Sequence, residues 1–112
     1  MFFHRLTFSG WPFGHYFKAL LRVDAGNFNK QVGQSVLAMI TSAKNSRWPL
    51  DVEIEDLDSA GLPSASIVRM KLFTLDDRLI IRKAGVLSKT DTLAVLDTLH
   101  QLFNLEIHRN NN

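Results

Sequence analysis

Apolar residues recur along this chain in short blocks rather than in long helical stripes. The segments "RLTFSGW", "KALLRV", "SVLAMIT", "LDVEI", "SIVRMKLF" and "RLIIRK" are brief and rich in β-branched or large apolar residues, and the turn signals "DAGNFN", "NSRWP", "AGLPS" and "LDD" separate them. Six short strands at this spacing predict a small barrel. The pattern changes after "AGVLS". Leu93, Leu96, Leu99, Leu102 and Phe103 recur at helical spacing, Ser88 stands where an N-cap belongs, and Asp91 follows three residues later, as in a capping box. An amphipathic helix over residues 88–104 is expected to close the barrel, with "HRNNN" as its frayed end. No repeat or linker divides the chain, so residues 1–112 read as one domain.

Composition narrows the chemistry. With 46% hydrophobic residues in 112, the chain has enough apolar side chains for one core. The absence of cysteine excludes disulfides and thiolate zinc sites, and His4, His15, His100 and His108 show no metal-ligand spacing. No metal or cofactor is expected, and a reducing cytosol fits. The opening "MFFHRLTFSGWPF" is apolar but carries Arg5, Gly10 and Pro12, which suits neither a signal peptide nor a membrane span. The net charge of +2 conceals an asymmetry: residues 1–50 hold six Lys/Arg against one acidic residue, and residues 51–112 hold seven against ten.

The stretch with the most chemistry follows "VLAMI". Thr41 and Ser42 end an apolar strand, and Lys44, Asn45, Ser46, Arg47 and Trp48 come next. Hydroxyls and cations beside an indole suit a loop that holds phosphates, with Trp48 stacking on an unpaired base. The same residues also suit an ordinary wet turn, with Trp48 as a lid on the core. Arg69 and Lys71, two apart on a strand, point to one face and make it positive. The acidic run "DVEIEDLDSAG" reads as a solvated strand and turn.

From Lys18 to about residue 104 the chain resembles the MazF/PemK family of toxin ribonucleases. The likeness rests on "VLAMITS", on "DVEIEDLDSAGLPSASIVRMKLFTLDDRLIIRKAGVLS" and on the helix that follows. It implies a mainly β fold with a C-terminal helix, a small SH3-like barrel of the CcdB/PemK type, in a homodimer. Residues 1–17, "MFFHRLTFSGWPFGHYF", replace the family's opening strand and loop with a divergent sequence.

The resemblance also implies a function: the toxin of a toxin–antitoxin pair, an mRNA interferase that cuts single-stranded RNA without a metal, by attack of the ribose 2′-hydroxyl on the adjacent phosphate. Its partners would be mRNA and a cognate antitoxin protein, with no membrane. In this reading Lys18, which lies 23 residues before Thr41, takes the place of the family's active-site arginine. Thr41 matches the active-site threonine, Arg69 a strand arginine, and His15 a histidine of the first loop. Ser42, Lys44, Asn45, Arg47, Trp48 and Lys71 would contact RNA. Lysine at position 18 keeps the charge but loses the bidentate fork, and Lys71 stands where related members carry an acid. A protein that binds RNA or antitoxin without cutting therefore remains the alternative. The gyrase-poisoning relatives with the same barrel depend on apolar C-terminal residues that "EIHRNNN" lacks.

Overall fold

In a computed structural model, the backbone is described for residues 2–11, 14–24 and 26–104, and the side chains for 19–24, 27, 30–79 and 84–104. The elements are β1 (Phe2–Trp11), β2 (Gly14–Arg22), α1 (Gly26–Val32), β3 (Gln34–Ser42), β4 (Val52–Glu53), α2 (Leu57–Ala60), β5 (Ser66–Asp76), a 3₁₀ turn (Asp77–Leu79), β6 (Ile80–Val86) and α3 (Lys89–Phe103). The strands form one sheet in the order β4-β5-β3-β2-β1-β6, with antiparallel pairing throughout.

Three sequence expectations change here. Residues 2–11 form β1, the first strand expected within residues 1–17, but β2 already begins at Gly14, where a loop was expected; the two pair from Phe2↔Arg22 to Phe8↔Tyr16. "DAGNFN" contains the start of α1 rather than only a turn, and α2 precedes "AGLPS". At seven and four residues these helices are too short to display a hydrophobic period.

The edges of the sheet are β4 and β6, and α2, which follows β4 in the chain, packs on β6. Ser59 Oγ donates to Val86 O at 2.8 Å, so the α2 segment is bonded to β6. A Cβ on Gly85 would collide with the Ala60 backbone, and one on Gly61 with the Ala84 carbonyl. Gly61 also caps α2 at φ 70°, a left-handed conformation that favours glycine. These two glycines allow backbone to rest on backbone where α2 lies against the β6 edge of the open sheet.

Leu20 and Leu21 are adjacent in β2 and both 0% exposed, so the sheet is covered on both faces there. Leu21 joins Ala38, Ile40, Ile54, Ala60, Val68, Leu87 and Val95 in the main core, while Leu20 and Leu37 pack with Phe73 and Leu75 on the opposite side. Each fully buried leucine contributes about 1.5–3 kcal/mol.

α3 carries the expected cap at Ser88, and the tail "HRNNN" lies outside the described residues. Ser88 Oγ accepts from Asp91 N at 3.1 Å, and Asn104 ends the helix in the left-handed conformation at φ 49°. The helix's rotation differs from the expected one. Asp91 is 2% exposed, and its two carboxylate oxygens accept the Glu55 and Asp56 backbone N–H groups at 3.0 Å each. That grip turns Val95 and Thr98 inward and leaves Leu93, Leu96, Leu102 and Phe103 exposed, with only Leu99 of the apolar stripe packed on the core. Among the described residues, no helix is long and apolar enough to cross a membrane.

Candidate functional site

β3 ends in a stiff corner. Thr41 pairs with Ile67 and Ser42 with Ser66, and Ala43 N donates to Ala65 O at 3.0 Å, so the ladder continues to the turn itself. Asn45 N closes the turn onto Ser42 O at 3.1 Å. The side chains are committed as well. Thr41 Oγ1 accepts from Asn45 Nδ2 at 2.5 Å, and Ser42 Oγ accepts from Lys44 N at 3.2 Å. A hydroxyl that already accepts one bond still has its proton to donate, so the two hydroxyl oxygens at the strand end are held in place with their protons left to give.

The loop beyond is held from beneath by Arg69. This residue is 7% exposed; its Nε and Nη2 donate to the Asp51 carboxylate at 3.2 and 3.0 Å, and Nη2 also donates to Ser46 O at 2.5 Å. The guanidinium carbon lies 4.7 Å from the centroid of the Trp48 ring. Asp51 in turn binds Trp48 at both ends of the turn: Oδ2 accepts Trp48 N at 2.8 Å, and Asp51 N donates to Trp48 O at 3.3 Å. Leu50 takes φ 65° so that the chain can close this turn after Pro49. Desolvation opposes ionisation of the Asp51 carboxyl. The Arg69 hydrogen bond, the Trp48 N–H and the charges of Arg69 and Arg47 outweigh it and hold the carboxyl below its ordinary value.

The expected positive face is therefore divided. The charge of Arg69 is balanced by Asp51 and tucked under the loop, whereas Lys71 and Lys44 are exposed. Arg47 pairs with Glu53 at 2.6 Å, an ion pair whose side chains are 52% and 63% exposed; such pairs are worth at most about 1 kcal/mol and exchange readily for a phosphate. Thr41, Ser42, Lys44, Asn45, Ser46, Arg47 and Trp48 thus gather along one corner and its loop, with Lys71 two residues along β5 from Arg69.

Lys18 and His15 lie in β2, so His15 is on a strand rather than in a loop, and both side chains fall outside the described residues. The β2–β3 register runs from Leu20↔Met39 to Arg22↔Leu37, and its continuation by two residues would face Lys18 with Thr41. Sequence reasoning missed Asp51, which it took as part of a solvated acidic run. The signal was present in "WPLD", where proline sets a turn and an acid follows at the position that can accept the turn's N–H.

A cavity of about 520 Å³ lies elsewhere, lined by Glu55, Asp56, Leu57, Asp58, Ser88 and Thr90. Its three carboxylates make it a poor phosphate site. Among the described residues, no three His, Asp or Glu side chains come together in metal-binding geometry.

The sequence matches one family model, described as the PemK-like, MazF-like toxin of type II toxin–antitoxin systems, over residues 21–103. No curated protein matches the sequence. Among solved structures, the fold is similar to Mycobacterium tuberculosis toxin MazF-mt6, with TM-score 0.74 and 16% identity over 96% of this chain and 100% of that one. It is equally similar to the MazE–MazF structure from Deinococcus radiodurans, with TM-score 0.74 and 16% identity over 94% of each chain. An endoribonuclease in complex with its cognate antitoxin from a mycobacterial species superposes with TM-score 0.72 and 15% identity over 95% of this chain and 94% of that one.

Proposed function

Because this chain belongs to the PemK-like, MazF-like toxin family of type II toxin–antitoxin systems, we propose that it is an endoribonuclease that cuts single-stranded RNA by attack of a ribose 2′-hydroxyl. The bond from O2′ to phosphorus forms as the bond to O5′ breaks, leaving a cyclic phosphate and a free 5′-hydroxyl. One proton leaves O2′ and one reaches O5′, so the reaction balances without water. The nucleophile comes from the substrate, and no metal is required to generate it. DNA lacks it and is bound uncut.

The observation that carries this reading is the hydrogen bond from Asn45 to Thr41 Oγ1. It orients the Thr41 hydroxyl at the end of a rigid ladder, with its proton available to a phosphate oxygen that gains charge in the transition state. Lys18, two residues beyond the last β2–β3 pair Leu20↔Met39, supplies a positive point charge to the same phosphate. His15 serves proton transfer, because an imidazole can both take up and release a proton. Ser42, Lys44, Asn45, Arg47 and Lys71 hold the neighbouring phosphates. Arg69 acts through the loop it supports rather than on the substrate.

The protein works as a homodimer in the bacterial cytoplasm, and a cognate antitoxin restrains it by laying an acidic segment across the same cations. The antitoxin complexes among the structural neighbours support that partner class. One arrangement favours the alternative of an RNA-binding protein that does not cut. The guanidinium of Arg69 is engaged by Asp51 and Ser46, and a lysine occupies position 71 where a carboxylate could have acted as a base. Denaturing electrophoresis of a labelled mixed-sequence RNA, incubated with the purified protein in EDTA, separates the two. New fragments support the nuclease; an intact RNA that nonetheless shifts in a native gel supports the binder.

A further inference from the structure

We propose that Trp48 is a base-stacking subsite, one face of its indole fixed by the Arg69–Asp51 ion pair and the other receiving an unpaired base of the RNA beside the phosphate at Thr41. The inference rests on the reading of this corner as an RNA site. It gives the stacking expected of Trp48 a structural basis and adds a positioning role for Arg69 and Asp51.

Trp48 is 47% exposed, which is unusual for a ring with so much apolar surface. Its backbone is nevertheless fixed on both sides, through Trp48 N to Asp51 Oδ2 and Asp51 N to Trp48 O. The guanidinium at 4.7 Å covers one side of the ring. The remaining area faces solvent, already oriented, so a base stacking there meets little ordering cost. Any of the four bases can use such a face, because each has a π surface.

The ion pair beneath is a poor device for stability alone. The side chains of Arg69 and Asp51 are 9% and 2% exposed, and burying two charges costs desolvation that an apolar pair of similar volume would not incur. What the pair provides is geometry. One guanidinium touches Ser46 O, in the turn that carries Thr41 and Asn45, and the ring of Trp48. The phosphate side and the base side of the corner are thereby tied to one group. Arg69 pairs across the ladder with Met39, and Thr41 lies two residues farther along β3. Along the strand that offset is roughly 7 Å.

The test uses a non-cleavable oligonucleotide of 2′-deoxy sugars, intact or carrying a single abasic position moved along the strand, titrated against wild type, Trp48→Phe, Trp48→Leu and Arg69→Lys, each checked for native circular dichroism. Wild type is expected to lose about tenfold in affinity at one abasic position. Trp48→Leu should bind the intact strand about tenfold more weakly and be indifferent to that same abasic site, while Trp48→Phe keeps most of the sensitivity. Arg69→Lys, which retains charge without the fork, should blunt the abasic penalty. If wild type binds and Trp48→Leu binds equally well with the abasic penalty unchanged, the stacking subsite is overturned while the RNA-binding reading stands. If wild type does not bind the oligonucleotide at all, both are overturned together.

Discussion

Arg69 and Trp48 form one unit: the guanidinium carbon sits 4.7 Å from the ring centroid while two of its nitrogens bind the Asp51 carboxylate. The loop after Thr41 is thus neither a loose wet turn nor a lid on the core. It is an exposed surface with a buried ionic anchor.

Removing one member of that anchor strands the other. Arg69→Ala leaves a carboxylate that is 2% exposed without its partner, at a cost of about 3–5 kcal/mol. Arg69→Met combined with Asp51→Leu should recover most of that loss, because neither charge is then buried. Urea denaturation of both variants checks it; a single-mutant loss below about 1 kcal/mol would show that the pair is not desolvated as described.

The anchor is also pH-dependent, with a definite sign. The folded-state value of Asp51 is depressed below its ordinary 3.8, so its contribution to stability is present above that pH and is lost as pH falls through the lower folded value. Wild type should therefore exceed Asp51→Asn in stability at pH 7, and the gap should narrow below about pH 4. A gap that stays constant from neutral to strongly acidic pH would contradict the assignment.

The seal between α2 and β6 makes a steric prediction. Gly85→Ala places a methyl group against the Ala60 backbone, which has no rotamer by which to yield, so the variant should lose about 1–3 kcal/mol. An unchanged urea midpoint would mean that α2 does not rest on β6 in this way.

Leu93, Leu96 and Phe103, at 57%, 48% and 55% exposure, lie on the outer side of α3 and form the apolar surface a second copy is expected to cover. Light scattering should give about twice the 12.7 kDa chain mass, and Leu96→Glu should lower it toward the monomer. A wild-type mass near that of one chain at tens of micromolar rules the homodimer out.

What the sequence revealed follows from the range of the interactions involved. β3, β5, β6 and α3 were legible because apolar runs, turn residues and the Ser88 cap are local signals. α1 and α2 were hidden by their brevity. The rotation of α3 could not be read from its leucines, because it is set by Asp91 binding backbone N–H groups 35 and 36 residues away. Alternation put Arg69 and Lys71 on one strand face, but the β3–β5 register shifts between Leu72 and Arg69, and Arg69 is buried under a loop that folds back over it; strand periodicity encodes neither. Thr41 was singled out by its match to the family's threonine at the end of an apolar strand; Asp51 was obscured by the four acidic residues that follow it within seven positions.

The most direct test of the central claim is cleavage of a labelled single-stranded RNA in EDTA by wild type and by Thr41→Ala, with a second substrate carrying one 2′-deoxy sugar at the mapped cut. Wild type should cut the all-ribose strand to a cyclic phosphate end and leave the deoxy-substituted position intact. Thr41→Ala should be at least about tenfold slower, the effect of losing one transition-state hydrogen bond of about 1.4 kcal/mol. Undiminished cleavage at the deoxy position, or full activity in a folded Thr41→Ala, would contradict the account.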